Sequence, residues 1–394
     1  PDPWTLPSHG AMFSGKYPTD IGVHAENMLF PESEPTLAEG LSADGYATGV
    51  FSSNPFLTEG SGLNRGFERS HTSGMSLVIF DDAFDPSRYV RSRVHERGLA
   101  KWSELARKLA GPPRTIVKNA LNAVHYKYRT TWEPDRGDPH DPSADDGAAE
   151  SIAAFESWLD DIDRSFFACL NFMEAHTPYR YRDRFRPEWA TMDDVRELSQ
   201  DRWPYLSGEL ELTDRRKELF ESLYEAELRS LDEALQSLWD ALKERDQWDD
   251  TLVVVTSDHG ELLGEHDLLF HDMNRLHEPL LHVPLIVKYP DGAHADTTVG
   301  ETTSLTRLPA IVREVTDDER SPAPEDHPQD LVKAEFLGMN QTLPDERYAD
   351  AYADLDGKSR AVYEDGTKYV LYQDHATVTH DLPVDAEAGP ESIE

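Results

Sequence analysis

The sequence predicts an α/β fold with a mostly parallel central sheet and a small antiparallel β subdomain at the carboxyl end. Short apolar runs typical of strands alternate with helical patterns, and this alternation favours a sheet whose strands are joined by helical crossovers. The runs lie at residues 46–51, 77–80, 166–173, 252–256 and 283–289. Near the carboxyl end, residues 359–363 and 368–372 flank a turn that contains Asp365-Gly366, which predicts a β-hairpin.

The clearest helical pattern precedes the run at residues 252–256. Apolar side chains recur there at alternating spacings of four and three residues, at Tyr224, Leu228, Leu231, Leu235, Leu238 and Leu242. This spacing puts the side chains on one face of an α-helix. We therefore expect this face to pack against the sheet.

The composition is strongly acidic and limits the classes of partner. The 394 residues include 76 Asp and Glu against 38 Lys and Arg, which gives a formal net charge of −38. This charge argues against nucleic acid or an anionic membrane as the main partner. It predicts the solvated acidic surface of salt-adapted, halophilic proteins, in which salt screens the self-repulsion. The sequence has no apolar run of about 18 residues, so we expect a soluble protein without a transmembrane segment, with the cytoplasm favoured over an extracellular location.

Residues 88–129 differ from the rest of the chain in charge. They contain eleven Lys and Arg against Glu96 and Glu104, and Gly111-Pro112-Pro113 divides their helical pattern in two. Two interpretations fit an insertion over about residues 85–150: its basic face docks on the acidic body, or it forms a lid that meets an anionic substrate or lipid headgroup. Two other segments rich in Asp and Pro are predicted to be exposed connections, at residues 133–148 and 317–329.

An aspartate and a histidine follow the run at residues 252–256 almost directly. If this run is a buried parallel strand, Asp258 and His259 lie at its carboxyl end, where open α/β sheets bind their ligands. A carboxylate and a neutral imidazole together suit Zn, Mn or a similar divalent ion. Gly260 permits a tight backbone turn beside them. The sequence therefore predicts a metal site here, with a polar turn that caps the strand as the alternative interpretation.

Four groups of residues form a pattern that covers nearly the whole chain. They are WTLPSH at residues 4–9, EAHTPY at 174–179, SDHG at 257–260 and VPLIV at 283–287. Together they resemble the sulfatase family of the alkaline-phosphatase-like superfamily. The resemblance implies a three-layer α/β sandwich, with a catalytic domain over residues 1–320 and a small β-hairpin subdomain over residues 321–394.

The nucleophile position departs from the usual sulfatase pattern. Sulfatases carry a Cys-or-Ser-x-Pro-x-Arg motif whose Cys or Ser is converted to formylglycine, and here Thr5, Pro7 and His9 occupy the matching positions. Threonine does not fit that conversion. It resembles the phosphodiesterase and phosphoglycerol-transferase branches of the superfamily, whose threonine attacks phosphorus directly. From the residues alone, Thr5 could also be a helix N-cap, and a helix that starts near Ser8 would favour negative charge at the site.

The resemblance implies roles for further residues. Asp258 and His259 match the metal ligands, with Thr5 as a third, and the implied cofactor is one or two divalent cations from among Mn, Zn, Ca and Mg. His176 matches the histidine that contacts the charged oxygens of the substrate or protonates the leaving group. His271 lies where many sulfatases have a lysine that binds a sulfate oxygen, and a surface-loop histidine is the alternative interpretation.

Two candidate substrate-binding residues complete the predicted site, His9 and Asn54. Asn54 lies in Ser52-Ser53-Asn54-Pro55, where sulfatases usually carry Lys-x-His. The aspartate pair that precedes the nucleophile in the family is not in the sequence, and we expect it upstream of Pro1, because the chain begins without a methionine. Without that pair, we expect the chain to hold its metal poorly.

These features predict a metal-dependent hydrolase that cleaves sulfuric, phosphoric or phosphonic esters through a covalent intermediate on Thr5. Cleavage or transfer of phosphoesters or phosphodiesters is favoured, because threonine replaces Cys or Ser. The partner is an anionic ester substrate, with a lipid headgroup or a glycan as a candidate carrier, and no nucleic acid is expected. The alternative is a non-catalytic protein that keeps the fold and binds an oxyanion or a polyanion.

Overall fold

The computed structural model describes residues 2–58, 60–73, 79–80, 83–84, 86, 112–131, 147–185, 187–317, 324, 327–329, 331–340, 343–364, 366–372 and 378–381. The chain divides into two compact units. The first unit is drawn from Pro1–Ala25, Leu198–Glu221 and Trp239–Glu394, and the second from Glu26–Glu197 and Ser222–Leu238. The predicted domain boundary near residue 320 stays a prediction.

The described helices and strands follow the order of an α/β protein. The helices are α1 (Thr5–Ser14), α2 (Pro18–Ile21), α3 (Leu37–Ala43), α4 (Pro55–Thr58), α5 (Pro113–Thr131), α6 (Ala148–Asp161), α7 (Met192–Glu197), α8 (Trp203–Leu206), α9 (Asp214–Glu244), α10 (Glu278–Leu281), α11 (Leu308–Asp317) and α12 (Ala349–Leu355). The strands are β1 (Ala47–Ser52), β2 (Arg69–Thr72), β3 (Phe166–Asn171), β4 (Val253–Thr256), β5 (Leu262–Leu263), β6 (Leu269–Phe270), β7 (Leu285–Lys288), β8 (Leu331–Leu337), β9 (Lys358–Glu364), β10 (Thr367–Tyr372) and β11 (Val378–Asp381). Single 3-10 turns lie at Glu265–Asp267, Pro290–Gly292, Leu305–Arg307 and Glu346–Tyr348.

The second unit contains a parallel sheet. Strand β1 lies in its centre and pairs in parallel with β2 and β3. Every residue of β1 is buried. Aromatic rings of α6 cover Phe51, with the ring centroids of Phe155 and Trp158 at 5.7 and 5.6 Å. The α/β class is confirmed, as are the predicted strands at residues 46–51 and 166–173.

Of the predicted strand at residues 77–80, the structure describes only residues 79 and 80, and for these two the prediction is wrong. Ile79 and Phe80 form no strand. Their backbone N–H groups donate to Oδ1 of Asn122, at 2.9 and 3.0 Å. The neighbour of β1 is β2, whose polar sequence gave no strand signal because its side chains are exposed or half-buried and carry no apolar alternation.

In the first unit, β4 and β7 confirm the strands predicted at 252–256 and 283–289, but their pairing corrects the prediction. β4 pairs antiparallel with β7, with Thr256 opposite Leu285, and all four residues of β4 are half-buried. The connection between the two strands contains the predicted site turn, the short β5–β6 pair and the single turn of α10, and the chain returns alongside β4 in the opposite direction.

The carboxyl-terminal part of the first unit is a four-stranded antiparallel sheet in the order β11-β10-β9-β8. The predicted hairpin is confirmed as β9 and β10, paired from Thr367 opposite Glu364 to Tyr372 opposite Ser359. Glu335 on β8 ties this sheet to the start of the chain, because its carboxylate accepts hydrogen bonds from the N–H and the hydroxyl of Thr19. The predicted connection at residues 317–329 lies mostly outside the described residues.

The predicted long helix is confirmed as α9, which Thr213 caps by accepting a hydrogen bond from the N–H of Arg216. One position of its predicted apolar face is wrong, because Leu228 is 42% exposed.

The predicted helix break at Gly111-Pro112-Pro113 agrees with the start of α5 at Pro113. Proline suits this position, because the N–H that it lacks would have no partner in the first turn of a helix. Of the predicted loop at 133–148, only residues 147–148 are described, and Ala148 there begins α6. In the described part of the chain, no helix combines the length and the apolar character needed to cross a membrane.

Gly260 fixes the turn after β4 against α10. Its N–H donates to the carbonyl of Leu280 at 2.9 Å, and the N–H of Glu261 donates to the carbonyl of Pro279 at 3.1 Å. A Cβ atom at residue 260 would lie 1.8 Å from the carbonyl oxygen of Pro279. Glycine is therefore required for this close backbone approach, which a tight turn alone would not demand.

We expect Gly260→Ala to lower the free energy of unfolding by about 3 kcal/mol, the upper end of the range for overpacking, because the obstructing atom is backbone and cannot rotate away. The measurement is urea unfolding followed by circular dichroism. Gly300→Ala is the matched control, since a Cβ atom at residue 300 meets nothing within 4 Å. Equal stabilities of the two variants would contradict the close approach.

Candidate functional site

Helix α1 begins at Thr5 and has Trp4 at its N-cap, in an extended conformation without a side-chain cap. Thr5 is thus the first helical residue, so the interpretation of Thr5 as N-cap and a helix start near Ser8 are both wrong. Ser8 secures the residues before the helix: its hydroxyl donates to the carbonyl of Asp2 at 2.7 Å and accepts from the N–H of Asp2 at 3.0 Å. The Thr5 side chain is consequently fixed at the positive end of α1.

His9 lies one turn after Thr5 and is buried. Its Nδ1 is 3.0 Å from the carbonyl oxygen of Thr5 and 3.3 Å from Oδ2 of Asp258. Both partners are acceptors, so Nδ1 carries the proton. The sequence predicted that His9 binds substrate in place of the arginine of the family motif. In the structure, the described contacts of its Nδ1 are with Thr5 and Asp258.

Asp258 lies between two histidines directly after β4. Its Oδ2 is 3.3 Å from Nδ1 of His9 and 3.7 Å from Nε2 of His259. Burial alone would raise the pKa of Asp258, but His259, His9 and His271 together hold this pKa far below its ordinary value. Asp258 is therefore an anion throughout the physiological pH range. His259 is oriented by Nδ1, which lies 2.9 Å from the carbonyl oxygen of Gly260.

His271 stacks on His259, with ring centroids 4.3 Å apart. Its Nδ1 lies 2.9 Å from Oε1 of Glu261, and both side chains are buried. Burial, and then the positive fields of His259 and Arg202, lower the pKa of His271 well below its ordinary value. The ring is neutral at pH 7, so Nδ1 donates to Glu261 and Nε2 is left as an acceptor.

Arg202, the residue directly before helix α8, supports the position of His271. Its guanidinium donates to the carbonyl oxygen of His271, and the side chain is buried between the rings of Trp203 and Phe270, each centroid 6.0 Å away. The sequence reading missed both Arg202 and Glu261. Glu261 directly follows the Asp-His-Gly motif and could have been found by that position, whereas no local pattern marks Arg202.

Two buried aspartates are the other residues that the sequence reading did not assign to the site. Asp2 is fully buried, and neither of its carboxylate oxygens has a hydrogen-bond partner among the described residues. Asp272 accepts a hydrogen bond from the N–H of Asn340 at 3.3 Å, while its own N–H donates to the carbonyl of Pro3 at 3.0 Å. Burial, and next the field of Asp272, raise the pKa of Asp2 well above its ordinary value.

Asn54 and His176 lie in the second unit. Asn54 follows β1 and is buried, and its Oδ1 accepts from the N–H of Phe56 at 3.0 Å while its own N–H donates to Oγ of Ser52 at 2.8 Å. His176 follows β3, and its Nδ1 contacts the carbonyl oxygen of Thr177. Each residue thus lies just after the carboxyl end of a parallel strand, as predicted. Within the first unit, by contrast, the structure brings together Thr5, His9, Asp258, His259 and His271.

The donors suit a divalent cation in type but not in number. Asp258 offers a carboxylate and His259 an imidazole, which are ligands for Zn or Mn. Among the residues that the structure describes, however, no group of three or more His, Cys, Asp or Glu side chains is arranged to hold an ion. The described donors alone therefore form an incomplete metal site.

Comparison with known proteins gives one family and several relatives. A family model described as Sulfatase matches residues 1–314. The chain is 23% identical over 293 residues to an ulvan-active sulfatase of Formosa agariphila, which covers 73% of this chain and 47% of that protein. It is 24% identical over 307 residues to a choline-sulfatase of Rhizobium meliloti, at 73% and 54% coverage. The chain thus spans about half the length of these curated relatives.

Solved structures with the same fold include two classes of ester hydrolase. A phosphonate monoester hydrolase of Agrobacterium radiobacter superposes with a TM-score of 0.59 at 16% identity, over 95% of this chain and 79% of that chain. A 2-O GAG sulfatase superposes with a TM-score of 0.59 at 16% identity, over 96% of this chain and 75% of that chain. Together they establish the sulfatase-like α/β fold, including the antiparallel carboxyl-terminal strands.

Asp272 makes stability depend on pH. Burial, partly offset by Arg202, the N–H of Asn340 and His259, raises its pKa from 3.8 to about 7. Between about pH 4 and 7 the unfolded chain has released this proton while the folded chain retains it, so this group lowers the stability as the pH rises through that window. Three pKa units correspond to about 4 kcal/mol.

We expect Asp272→Asn to be more stable than wild type at pH 7.5 by up to about 4 kcal/mol and to lose most of that advantage at pH 4. The asparagine keeps the Oδ1 acceptor for the N–H of Asn340. Urea unfolding of both proteins between pH 4 and 8 measures the difference, and Asp291→Asn, at an exposed turn, is the control. A difference that does not change with pH would contradict the raised pKa.

Proposed function

This chain belongs to the sulfatase family, and we propose that it hydrolyses sulfuric, phosphoric or phosphonic esters with Thr5 as the nucleophile. The observation that carries the proposal is the geometry of α1: Thr5 is its first residue, and His9, one turn further, lies beside the Asp258 anion. This contact brings the proposed nucleophile and the proposed metal ligand to one place. Because the chain spans about half the length of its curated relatives, the activity of the whole protein is part of the proposal.

The proposed reaction proceeds in two displacements. The Thr5 hydroxyl loses its proton, and Oγ1 attacks the phosphorus or sulfur atom of the ester while the bond to the alcohol oxygen breaks. The proton that Thr5 releases ends on the leaving alcohol. Water then cleaves the covalent ester on Thr5, so that Oγ1 regains a proton and phosphate, phosphonate or sulfate is released. The positive end of α1 favours the negative charge that gathers at this point. Threonine cannot become formylglycine, which favours phosphoester or phosphodiester cleavage or transfer over sulfate hydrolysis.

His271 and His176 are proposed to serve proton transfer and substrate contact. Because His271 is neutral and donates Nδ1–H to Glu261, its Nε2 can accept a hydrogen bond from the substrate but cannot donate one to an oxyanion. This differs from the role of the lysine that sulfatases often have there. His176 and Asn54 follow parallel strands of the second unit, and their proposed contacts with substrate oxygens rest on the family motifs.

A divalent cation, Mn, Zn, Ca or Mg, would be held by Asp258, His259 and Thr5 in this proposal. When bound, such an ion lowers the pKa of a coordinated hydroxyl. The described side chains do not include a group of three donors that could hold an ion. The proposed displacements therefore involve protein groups only. The position of Asp258 and His259 directly after β4 supports their part in the proposal, because a carboxylate beside an imidazole is a donor pair for such an ion.

The candidate substrates are anionic esters. The relatives are named for activity on ulvan and on choline sulfate and, among the solved structures, for phosphonate monoesters and glycosaminoglycans. These names support a sulfated glycan or a small headgroup ester as the substrate class of this chain. The threonine nucleophile favours the phosphorus esters among them.

We expect Thr5→Ala to lower kcat/KM by about 10³-fold or more, because the attacking oxygen is removed. The assay compares aryl sulfate, phosphate monoester, phosphodiester and phosphonate monoester substrates with added Mn. Ser14→Ala at the other end of the same helix is the control, since the Ser14 hydroxyl donates to the carbonyl of Gly10 and accepts from the N–H of Lys16. Full activity of Thr5→Ala would contradict the role of Thr5 as nucleophile, whereas no activity of the wild-type chain on any substrate of the panel would favour the non-catalytic oxyanion-binding protein.

We expect Glu261→Ala to lower kcat about 10- to 100-fold with little change in KM, because the ring of His271 loses the carboxylate that fixes its orientation and tautomer. Glu261→Gln keeps an oxygen acceptor for Nδ1–H and should recover most of the activity. Steady-state kinetics on the best substrate of the panel measure both variants. If Glu261→Gln were as impaired as Glu261→Ala, hydrogen-bonded orientation of His271 would not be the role of Glu261.

A further inference from the structure

Helix α5 is held in place by its polar side. Asn122 is fully buried, and its amide donates to the carbonyls of Phe80 and Phe84 at 2.9 and 3.0 Å while its Oδ1 accepts from two backbone N–H groups. One turn earlier, Oδ1 of Asn119 accepts from the N–H of Phe84 at 2.9 Å. Buried polar groups with this many partners fix the rotation of the helix. The asparagine side of α5 therefore faces the protein.

The opposite side of α5 is apolar and exposed. Val117 is 58% exposed and Val124 is 67% exposed, with Ile116 and Leu121 at 42% and 43%. At 100° per residue, Val117 lies about 200° round the helix from Asn119. Val117, Leu121 and Val124 are spaced by four and three residues, so they form one stripe along the helix. This is the reverse of an ordinary surface helix, which buries its apolar side.

The stripe is bordered by positive charge. The sequence of α5 contains no Asp or Glu, although the whole chain has a net charge of −38. By the same helical geometry, Arg114 lies at one edge of the stripe and Lys127 at the other, and both are exposed. Long basic side chains beside an apolar stripe can extend to anionic groups while the apolar side chains are covered.

We propose that this outer face of α5, formed by Ile116, Val117, Leu121 and Val124 with Arg114 and Lys127, docks on an anionic lipid bilayer. A bilayer interface offers both partners that the face requires, since the acyl chains accept the apolar stripe and the headgroups pair with the cations. The helix lies in the interface and does not cross it. This surface is independent of the proposed ester hydrolysis.

The acidity of the rest of the chain limits this docking but does not prevent it. Screening acts over about 8 Å at physiological ionic strength, so the described cations of α5, Arg114, Lys118 and Lys127, act on headgroups next to the helix more strongly than distant acidic groups do. A second copy that presented the same face would set its own Arg114 and Lys127 against these cations, and like charges repel. The bilayer is the partner that matches charge and apolar area together.

The experiment is flotation of the full chain with vesicles, without any measurement of activity. One set of vesicles contains phosphatidylcholine alone, and the other also contains phosphatidylglycerol. We expect binding to the anionic vesicles, about tenfold lower binding after Val117→Ser with Val124→Ser, and a similar loss after Arg114→Gln with Lys127→Gln. Ile286→Ser, on β7 and 62% exposed, is the matched control and should bind like wild type.

Several results would overturn the proposal. They are no binding of the wild-type chain to anionic vesicles, equal binding to the neutral vesicles, or full binding by the valine variant. A wild-type dimer that becomes monomeric in the valine variant, seen by analytical ultracentrifugation and without vesicle binding, would assign the face to a second copy. Circular dichroism of each variant establishes that α5 and the fold are retained, and loss of ester hydrolysis by Thr5→Ala would leave the vesicle result unchanged.

Discussion

The contact between His9 and Asp258 is the interaction on which the candidate site depends. The two residues are far apart in sequence, on the first turns of α1 and in the turn after β4, and Nδ1 of His9 joins them by lying near both the Thr5 carbonyl and the Asp258 carboxylate. Because Asp258 is surrounded by histidines, it remains charged despite its burial. Through this contact the first turn of α1, which carries Thr5 at its positive end, lies beside the Asp258 anion.

A second set of contacts orients His271. Glu261 accepts from Nδ1, Arg202 holds the carbonyl oxygen of the same residue, and His259 covers one side of the ring. Such supporting groups decide the tautomer of a histidine, which decides whether it can accept or donate a proton. Here they leave Nε2 of His271 as a hydrogen-bond acceptor, because Nδ1 carries the proton that is donated to Glu261.

The helix α5 reverses the usual relation between a surface helix and the protein beneath it. Two asparagines use their amides to pair with backbone groups of residues 79–84, and this pairing satisfies polar groups that would otherwise be buried at a cost. The apolar side is then left to solvent in a chain whose surface is otherwise acidic. The cost of exposing such a stripe is tolerated most readily where a partner covers it.

Much of this protein follows from local sequence. Apolar periodicity predicted β1, β3, β4, β7 and the hairpin of β9 and β10, because alternation and spacing are properties of neighbouring residues. The motifs around Thr5 and Asp258 predicted the family, which the family model confirms, and they supply the proposed residues of the site. Local pattern failed at β2, whose polar residues are held in the sheet by pairing with β1, and at Ile79 and Phe80, which bond to Asn122 instead of to a strand.

Only the tertiary structure decided the pairings between distant parts of the chain. The sequence could not show that His9 faces Asp258, that Arg202 reaches the backbone of His271, or that β4 runs antiparallel to β7. The sequence predicted a tight turn at Gly260, but it could not show that the carbonyl of Pro279 leaves no room there for a Cβ atom. Residue type fixes what a side chain can donate, accept or bury, whereas its partner is set by the packing of elements that the sequence keeps far apart.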